Sequence, residues 1–354
     1  MHKKRISLIF LIVVLFLTSC SVSFQNKDSK FYDSDGVSVT PSDDTVQFHF
    51  IDVGQGDCIF IQNGDKTVLI DAGTYESGHK IYKYLTDRGI KKLDYFIITH
   101  PHDDHVGGAE NIARGLKIDT LFLNSGLDYN SYSYEKFIDV LIEKDITPSN
   151  PDLDTVYEIG GMKLKFLSPH KNFGDENENS FVTLIEFGEV KALFTGDIEK
   201  TAETDILSRI TDISADILKV AHHGSRTSSS QHFINAVYPS VAVIQSEKGN
   251  NYGHPHDEAL ERLERVGCKI LRTDEEGTIV LSTDGKTLRR STGEEYSPAD
   301  EKQPITFSYI GNKKSKVYHT DLCPNLPGKN NRITFHSKEE AENSGYKKCG
   351  NCNP

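Results

Sequence analysis

The feature that most constrains this chain is an apolar run that ends in a cluster of metal-ligand side chains. Leu93 to Thr99 is the run, and His100-Pro101-His102-Asp103-Asp104-His105 follows it at once. Continuous apolar character is expected of a buried strand. His100, His102, Asp104 and His105 spell H-x-H-x-D-H on the loop that leaves it. On extended backbone alternate side chains face one way, so His100 and His102 can share one metal ion. Asp104 and His105 can then serve a second. Imidazole and carboxylate suit zinc, with manganese or iron compatible. Four such ligands on one short loop make a chance cluster improbable.

Around this loop the pattern is mixed α/β. Val46 to Val53, Asp57 to Gln62 and Lys66 to Asp71 read as early strands, the last two joined by the turn Asn63-Gly64-Asp65. Gly78 to Gly89 has helical spacing and ends on a glycine. Further strands are expected at Thr120–Leu123, Met162–Leu167, Phe181–Phe187, Lys191–Thr195, Ile217–Val220, Val241–Ile244, Lys269–Arg272 and Thr278–Leu281. Helices are expected at Tyr134–Glu143, Thr201–Arg209, Gln231–Val237 and Asp257–Val266. Hairpins followed by strand–helix alternation predict two sheets covered by helices.

Three more segments extend the ligand pattern: Phe194-Thr195-Gly196-Asp197, Val220-Ala221-His222-His223-Gly224-Ser225, and Asn251-Tyr252-Gly253-His254-Pro255-His256. With Ile51-Asp52-Val53-Gly54-Gln55-Gly56-Asp57 and Leu69-Ile70-Asp71-Ala72-Gly73, they resemble the metallo-β-lactamase-fold hydrolases. Within that group the chain looks like the hydrolase domain of ComEC-type competence proteins, which handle DNA during uptake. It lacks the many membrane spans of the full transporter. The resemblance implies an αββα sandwich over 45–290 and two divalent ions, zinc or manganese. It also implies that Asp197 bridges the ions and that His222 or His223 is a late ligand.

One departure matters. Many relatives carry a further His between the first cluster and the bridging Asp. Here the stretch is Glu176-Asn177-Glu178-Asn179-Ser180-Phe181, without His, and its Asn179-Ser180 resembles the ComEC-type version. The site of His100 and His102 is therefore expected to be the weaker one. Asp104, His105, Asp197 and His222 or His223 form the more complete one. His170 precedes this loop and is a candidate replacement ligand.

A bound divalent ion lowers the pKa of its water, and two ions can clamp both oxygens of a phosphodiester displacement. Asp104 or Asp197 can orient the nucleophile. His254 and His256 can bind phosphate or protonate a leaving group, or else cap the helix at Asp257. The Asp52–Asp57 loop is read as structural and packed near the site, its glycines permitting a tight turn. Asp71 is read as holding a ligating His through a hydrogen bond. Ser225, Thr227 and Ser228 can donate to phosphate or simply belong to a loop. Cys58 and Cys268 are read as buried free thiols.

The two ends differ from this domain. His2-Lys3-Lys4-Arg5, the 12-residue apolar run Ile6–Leu17 and Leu17-Thr18-Ser19-Cys20 read as a signal peptide over 1–20. The last four residues resemble a bacterial lipobox with Cys20 as the lipidated residue. The run is short of the roughly 20 residues that span a bilayer. Residues 21–44, rich in Ser and Asp, are expected to be a flexible tether. At the other end, 291–306 reads as a linker and 307–354 as a small module carrying His319, Cys323, Cys349 and Cys352.

That spacing can close a tetrahedral zinc site, or form a disulfide that leaves one Cys over. The module resembles the small metal-binding unit of Ada-type DNA-repair proteins, with His319 in place of one cysteine. It holds eight Lys/Arg against four Asp/Glu, whereas the whole chain has 40 against 52 and a net charge of −12. The acidic total argues against non-specific polyanion binding. The basic module and the cations of the metal site answer that argument locally, so a DNA partner stays open. Six cysteines are too sparse for a disulfide scaffold.

The expectation is an extracytoplasmic, lipid-anchored, metal-dependent hydrolase, of phosphodiesterase or nuclease type, acting on DNA. It has two ions in the hydrolase site, one structural zinc in the module and no nucleotide cofactor. The alternatives are a hydrolase of a non-nucleic phosphodiester or lactone, and a non-catalytic surface lipoprotein that captures DNA.

Overall fold

The computed structural model describes residues 45–124, 130–296, 309–320, 323, 325–335 and 337–350. The signal peptide, Cys20, the tether, most of the linker and Cys352 lie outside them. Among the described residues no helix is long and apolar enough to cross a membrane.

The strand Lys92–Ile98 is parallel to Lys66–Ile70 on one side and Lys117–Leu123 on the other. It is part of an eight-stranded sheet. From the outer edge the order is Glu295–Tyr296, Leu288–Arg290, Ile279–Thr283, Val46–Phe50, Ile59–Asn63, Lys66–Ile70, Lys92–Ile98 and Lys117–Leu123. A seven-stranded sheet runs Lys269–Arg272, Val241–Ile244, Ile217–Lys219, Val190–Phe194, Val182–Phe187, Met162–Ser168 and Tyr157–Ile159. Its first four strands are parallel, with Phe194, Lys219 and Val243 in register.

Apolar side chains on both faces of each sheet set the layers. Val68, Ile97 and Phe48 point into the gap between sheets and meet Phe166, Ala192 and Phe194. Leu69, Phe96 and Ile98 point outward and are covered by Ile81 and Leu85 of the helix Gly78–Asp87 and by Phe137 and Leu141 of Tyr132–Glu143. On the second sheet Leu193, Leu218 and Ala242 are covered by Ile206 of Lys200–Arg209, Phe233 of Gln231–Val237 and Leu263 of Asp257–Arg265. The result is the four-layer αββα sandwich. Phe194 joins the layers, its ring centroid 6.2 Å from those of both Phe48 and Phe50. Burying one such ring contributes roughly 1.5–3 kcal/mol.

Three differences from the sequence reading stand out. The second strand begins at Ile59 rather than Asp57, because residues 51–58 form a loop held by Ile51 N–H to Cys58 O at 2.9 Å. Glu295–Tyr296 pairs with Leu288–Arg290, so the sheet continues to Tyr296, inside the stretch read as linker. The helix Ala109–Gly115 was not foreseen; it lies under Gly78–Asp87.

The C-terminal residues form a separate four-stranded sheet, ordered Arg332–Phe335, Tyr309–Asn312, Val317–Thr320 and Lys347–Lys348. The helix Lys338–Asn343, capped by the Ser337 hydroxyl, packs on it. Among the described residues its core is small: Tyr318, Phe335, Ala341 and Tyr346 with Tyr309 against them, and Cys323 and Cys349 with Val317 and Leu326. So small a core calls for a staple.

Candidate metal centre

Parallel strands bring the ligand loops to one edge. Lys66–Ile70 and Lys92–Ile98 end at Asp71 and Thr99-His100, while Val190–Phe194, Ile217–Lys219 and Val241–Ile244 end at Asp197, His222-His223 and Gln245. Two glycines let the loops meet. A Cβ on Gly56 would collide with the Asp104 carbonyl, which accepts from Asp57 N–H at 3.0 Å. Gly196 has φ +49°, and a Cβ there would lie 2.8 Å from Ser180 Cβ.

The structure gathers Asp104, His105, Asp197 and His223 so that one ligand atom from each lies within 4.8 Å of the others. His105 Nε2 is 3.3 Å from Asp197 Oδ2, and His223 Nε2 is 3.1 Å from Asp104 Oδ2 and 3.4 Å from Asp197 Oδ2. His222 does not join them. Its Nδ1 faces Glu199 Oε1 at 3.1 Å and its Nε2 is 3.8 Å from Asp197. The two histidines occupy successive left-handed positions, φ +50° and +53°, and this turn sends their rings different ways. Non-glycine residues there cost about 1–3 kcal/mol each, a cost found at functional turns.

Each inward imidazole is held by its other nitrogen. His105 Nδ1 donates to Asp71 Oδ2 at 2.8 Å, and His223 Nδ1 donates to the Gln245 carbonyl at 3.0 Å. The Thr99 hydroxyl gives its proton to Asp71, so toward His100 Nδ1, 3.1 Å away, it accepts. With an ion bound, each of these three rings would keep its proton on Nδ1 and turn Nε2 to the metal. Asp71 itself sits at φ +58°, bound by Thr99 N–H and Thr99 Oγ1, both at 2.8 Å.

The second pair is less complete. His100 Nε2 faces His102 Nδ1 at 3.1 Å. Ser180 Oγ is 3.2 Å from His100 Nδ1 and accepts from Asp197 N–H at 3.1 Å. The stretch without His is used for architecture. Glu178 takes N–H bonds from Glu199, Thr201 and Ala202 at the start of Lys200–Arg209, and Asn179 ties its own loop through Phe173 N–H and Asp175 O. Asn177 lines the pocket beside His102, and its Oδ1 is buried without a hydrogen-bond partner among the described residues. His170 stands apart, bound to Asp205 at 2.7 Å.

The donor set fits a divalent cation. His105 Nε2 and Asp197 Oδ1 are buried without hydrogen-bond partners among the described residues. Burial alone would push the Asp197 carboxyl up, but the His105 and His223 imidazoles outweigh it and hold it well below the usual range. Burial opposes charge on His105 and His223, yet the surrounding carboxylates, Asp197 foremost, hold both well above the ordinary histidine value. His100 goes the other way, pushed well down by burial and by His105. The carboxylates thus draw positive charge to the four-residue cluster, while His100 stays neutral.

His254 lines the pocket, its Nδ1 3.4 Å from Gln55 Nε2. Burial and the neighbouring imidazoles lower it to about 4, so it is neutral near pH 7. His256 stands at the N-cap position of the helix Asp257–Arg265 without a side-chain capping bond, and its Nδ1 accepts from Arg226 N–H at 3.1 Å. Ser225 and Thr227 bond each other at 2.9 Å, and Ser228 bonds the Ala221 carbonyl. Cys58 is buried and Cys268 is half-buried, its thiol 3.4 Å from Leu263 O.

Sequence reasoning missed Lys219 and Gln245. Lys219 Nζ lies wholly buried against Asp57 and 3.9 Å from Asp197 Oδ1. A lone Lys in the apolar strand just before the His pair was the available signal. In the C-terminal module His319, Cys323 and Cys349 converge, with His319 Nδ1 3.3 Å from Cys323 Sγ.

Comparison with known proteins agrees with this edge. The chain is 35% identical over 250 residues to "ComE operon protein 3" of Bacillus subtilis, covering 65% of this chain and 32% of that protein. It is 31% identical over 241 residues to "Recombination protein 2" of Haemophilus influenzae, covering 66% and 28%. It is 29% identical over 155 residues to "Exodeoxyribonuclease WalJ" of Streptococcus pneumoniae, covering 41% and 55%. The chain spans about a third of the first two relatives' length. The sequence profile of the metallo-beta-lactamase superfamily matches residues 51–245, the stretch that supplies all four clustered ligands, and the chain belongs to that superfamily.

Proposed function

We propose that this protein is a metal-dependent phosphodiesterase that cleaves DNA outside the cytoplasm, held at the membrane by a lipid on Cys20. The observation that carries the reading is the Asp104–His105–Asp197–His223 cluster, open to a pocket shared with His102 and His254. These four residues hold the tighter ion, and His100 and His102 the weaker one. A divalent ion there supplies an activated water and neutralises phosphate charge. Asp71 and Gln245 fix the rings, and Asp104 and Asp197 place carboxylates beside the reacting phosphate. His254 is a neutral donor or acceptor at the rim. The names of the relatives, a competence-operon product and an exodeoxyribonuclease, support a DNA substrate.

In this reading His319, Cys323, Cys349 and Cys352 hold a structural zinc, and the lysines of the small module, Lys313, Lys314, Lys347 and Lys348 among them, meet the DNA backbone.

The test uses the chain from residue 21 with Mn or Zn. Cleavage of DNA that His105→Ala abolishes is the expected result. No cleavage of any nucleic acid across a range of metals, with turnover of small phosphodiesters or lactones, overturns the DNA reading. DNA binding that survives Asp197→Ala without turnover selects the capture protein instead. Metabolic lipid labelling lost in Cys20→Ser tests the anchor.

A further inference from the structure

Tyr252 is 67% exposed, yet its position is set. Asn250 Oδ1 accepts the N–H groups of Tyr252 and His254, both at 3.0 Å, and Asn250 Nδ2 donates to the carbonyls of Glu247 at 2.8 Å and His254 at 2.6 Å. One side chain thus ties both ends of a short turn. The Tyr252 ring stacks on His254, centroids 5.7 Å apart and planes 20° apart. The His254 ring lies in turn 6.1 Å from His223 and 5.6 Å from His222. Tyr252 also lines the pocket that holds Asp104, Asp197 and His223.

A single exposed aromatic residue is ordinary. This one differs in having one face covered by a ring, the other turned to solvent, and a fixed place at the lip of the metal pocket. Tyr75 and Tyr132, also exposed, pack edge to face on each other, centroids 5.8 Å apart. An uncharged aromatic face attracts a flat π-system rather than a phosphate, and every nucleobase offers one. The rings of His223, His254 and Tyr252 follow one another in centroid steps of 6.1 and 5.7 Å, a row along which a base flanking a phosphate held at the cluster meets Tyr252.

We infer that the open face of Tyr252 is a nucleobase-stacking subsite, taking the base next to the phosphate held by the metal cluster. The inference deepens the DNA reading and rests on it.

The test compares a single-stranded deoxyoligonucleotide with its fully abasic counterpart, in cleavage with Mn and in equilibrium binding. The full wild-type chain and the variants Tyr252→Ala and Tyr252→Phe are used. Wild type should prefer the intact strand. Tyr252→Ala should reduce that preference in kcat/KM by roughly 5- to 100-fold, the range one base–aromatic stack supplies, mainly through KM. Tyr252→Phe should restore it. Equal loss on both strands, or no loss, with cleavage intact overturns the stacking subsite and leaves the DNA reading standing. A Tyr252-dependent binding preference without turnover supports the subsite and overturns the nuclease. Neither binding nor turnover overturns both.

Discussion

The ammonium of Lys219 lies against the carboxylate of Asp57, both side chains wholly buried, directly behind His223 and Asp197 of the candidate metal cluster. His223 Nδ1 is 3.3 Å from Asp57 Oδ1, so the pair also backs a ring of the candidate cluster. Removing one partner of such a pair leaves an unpaired charge in low dielectric and costs about 3–5 kcal/mol. Lys219→Met should lower unfolding stability by that order in urea titration. Because an apolar replacement of a whole pair is often tolerated, adding Asp57→Leu should recover much of the loss. A Lys219→Met protein as stable as wild type would contradict this account.

Asp71 makes a different kind of test, since it touches no ligand pocket but holds His105 Nδ1 at 2.8 Å. Asn tolerates the left-handed backbone that Asp71 adopts at φ +58°. Asp71→Asn should therefore fold while losing the anionic acceptor that fixes the imidazole. Outer-shell partners of this type typically change metal affinity 10- to 100-fold. Zinc titration by calorimetry should show a loss of that size; unchanged affinity would remove Asp71 from the metal centre.

These two residues also mark where sequence reading succeeds and where it stops. The H-x-H-x-D-H loop could be placed at a strand end because the run before it is largely apolar, and Asp71 could be read as a support because a ligating imidazole needs an acceptor at its other nitrogen. The choice between His222 and His223 was not legible. Adjacent residues differ by a rotation, and the two left-handed backbone positions turn His223 toward Asp104 and Asp197 and His222 toward Glu199. Lys219 was hidden because a Lys in a strand usually lies at an edge with its amine in water. Here the strand Ile217–Lys219 is central and the amine meets a carboxylate from the loop 51–58, which joins two strands of the other sheet. Gln245 was hidden likewise, as its role depends on that sheet: its side-chain amide donates to Ile51 O and Cys58 O. The end of the hydrolase domain was misjudged by six residues because the polar stretch after Arg290 still contributes an edge strand.

Glu203 should make stability fall as pH rises. It is fully buried, and burial raises its carboxyl to about 7 despite the Ser230 N–H and hydroxyl bonds. The folded state therefore holds this proton more tightly than the unfolded chain, whose value is near 4.5. The contribution is complete below about pH 4.5 and is lost as pH rises through 7. A shift of this size corresponds to about 3 kcal/mol across the window. Glu203→Gln keeps an acceptor for Ser230 and cannot titrate. Its stability relative to wild type should rise between pH 4.5 and 7, measured by urea titration at each pH. A difference that stays flat would mean that Glu203 titrates alike in both states.

The small module should stand or fall with its metal. Tyr318, Phe335, Ala341 and Tyr346 form its larger described apolar cluster, and His319, Cys323 and Cys349 converge beside it. Backbone bonds fix two of the sulfur-bearing residues, Cys323 N–H to Thr320 O at 3.0 Å and Cys349 N–H to Tyr318 O at 2.9 Å. A structural zinc in such a setting contributes apparent binding free energies of roughly 10–16 kcal/mol, and that energy becomes folding energy. The full chain should therefore carry one zinc that Cys349→Ser loses by elemental analysis. The same variant should become sensitive to protease beyond Tyr309 while the hydrolase domain resists. A disulfide in place of zinc predicts the opposite pair of readings: unchanged zinc content in Cys349→Ser, and wild-type chain with two fewer titratable thiols than its reduced form.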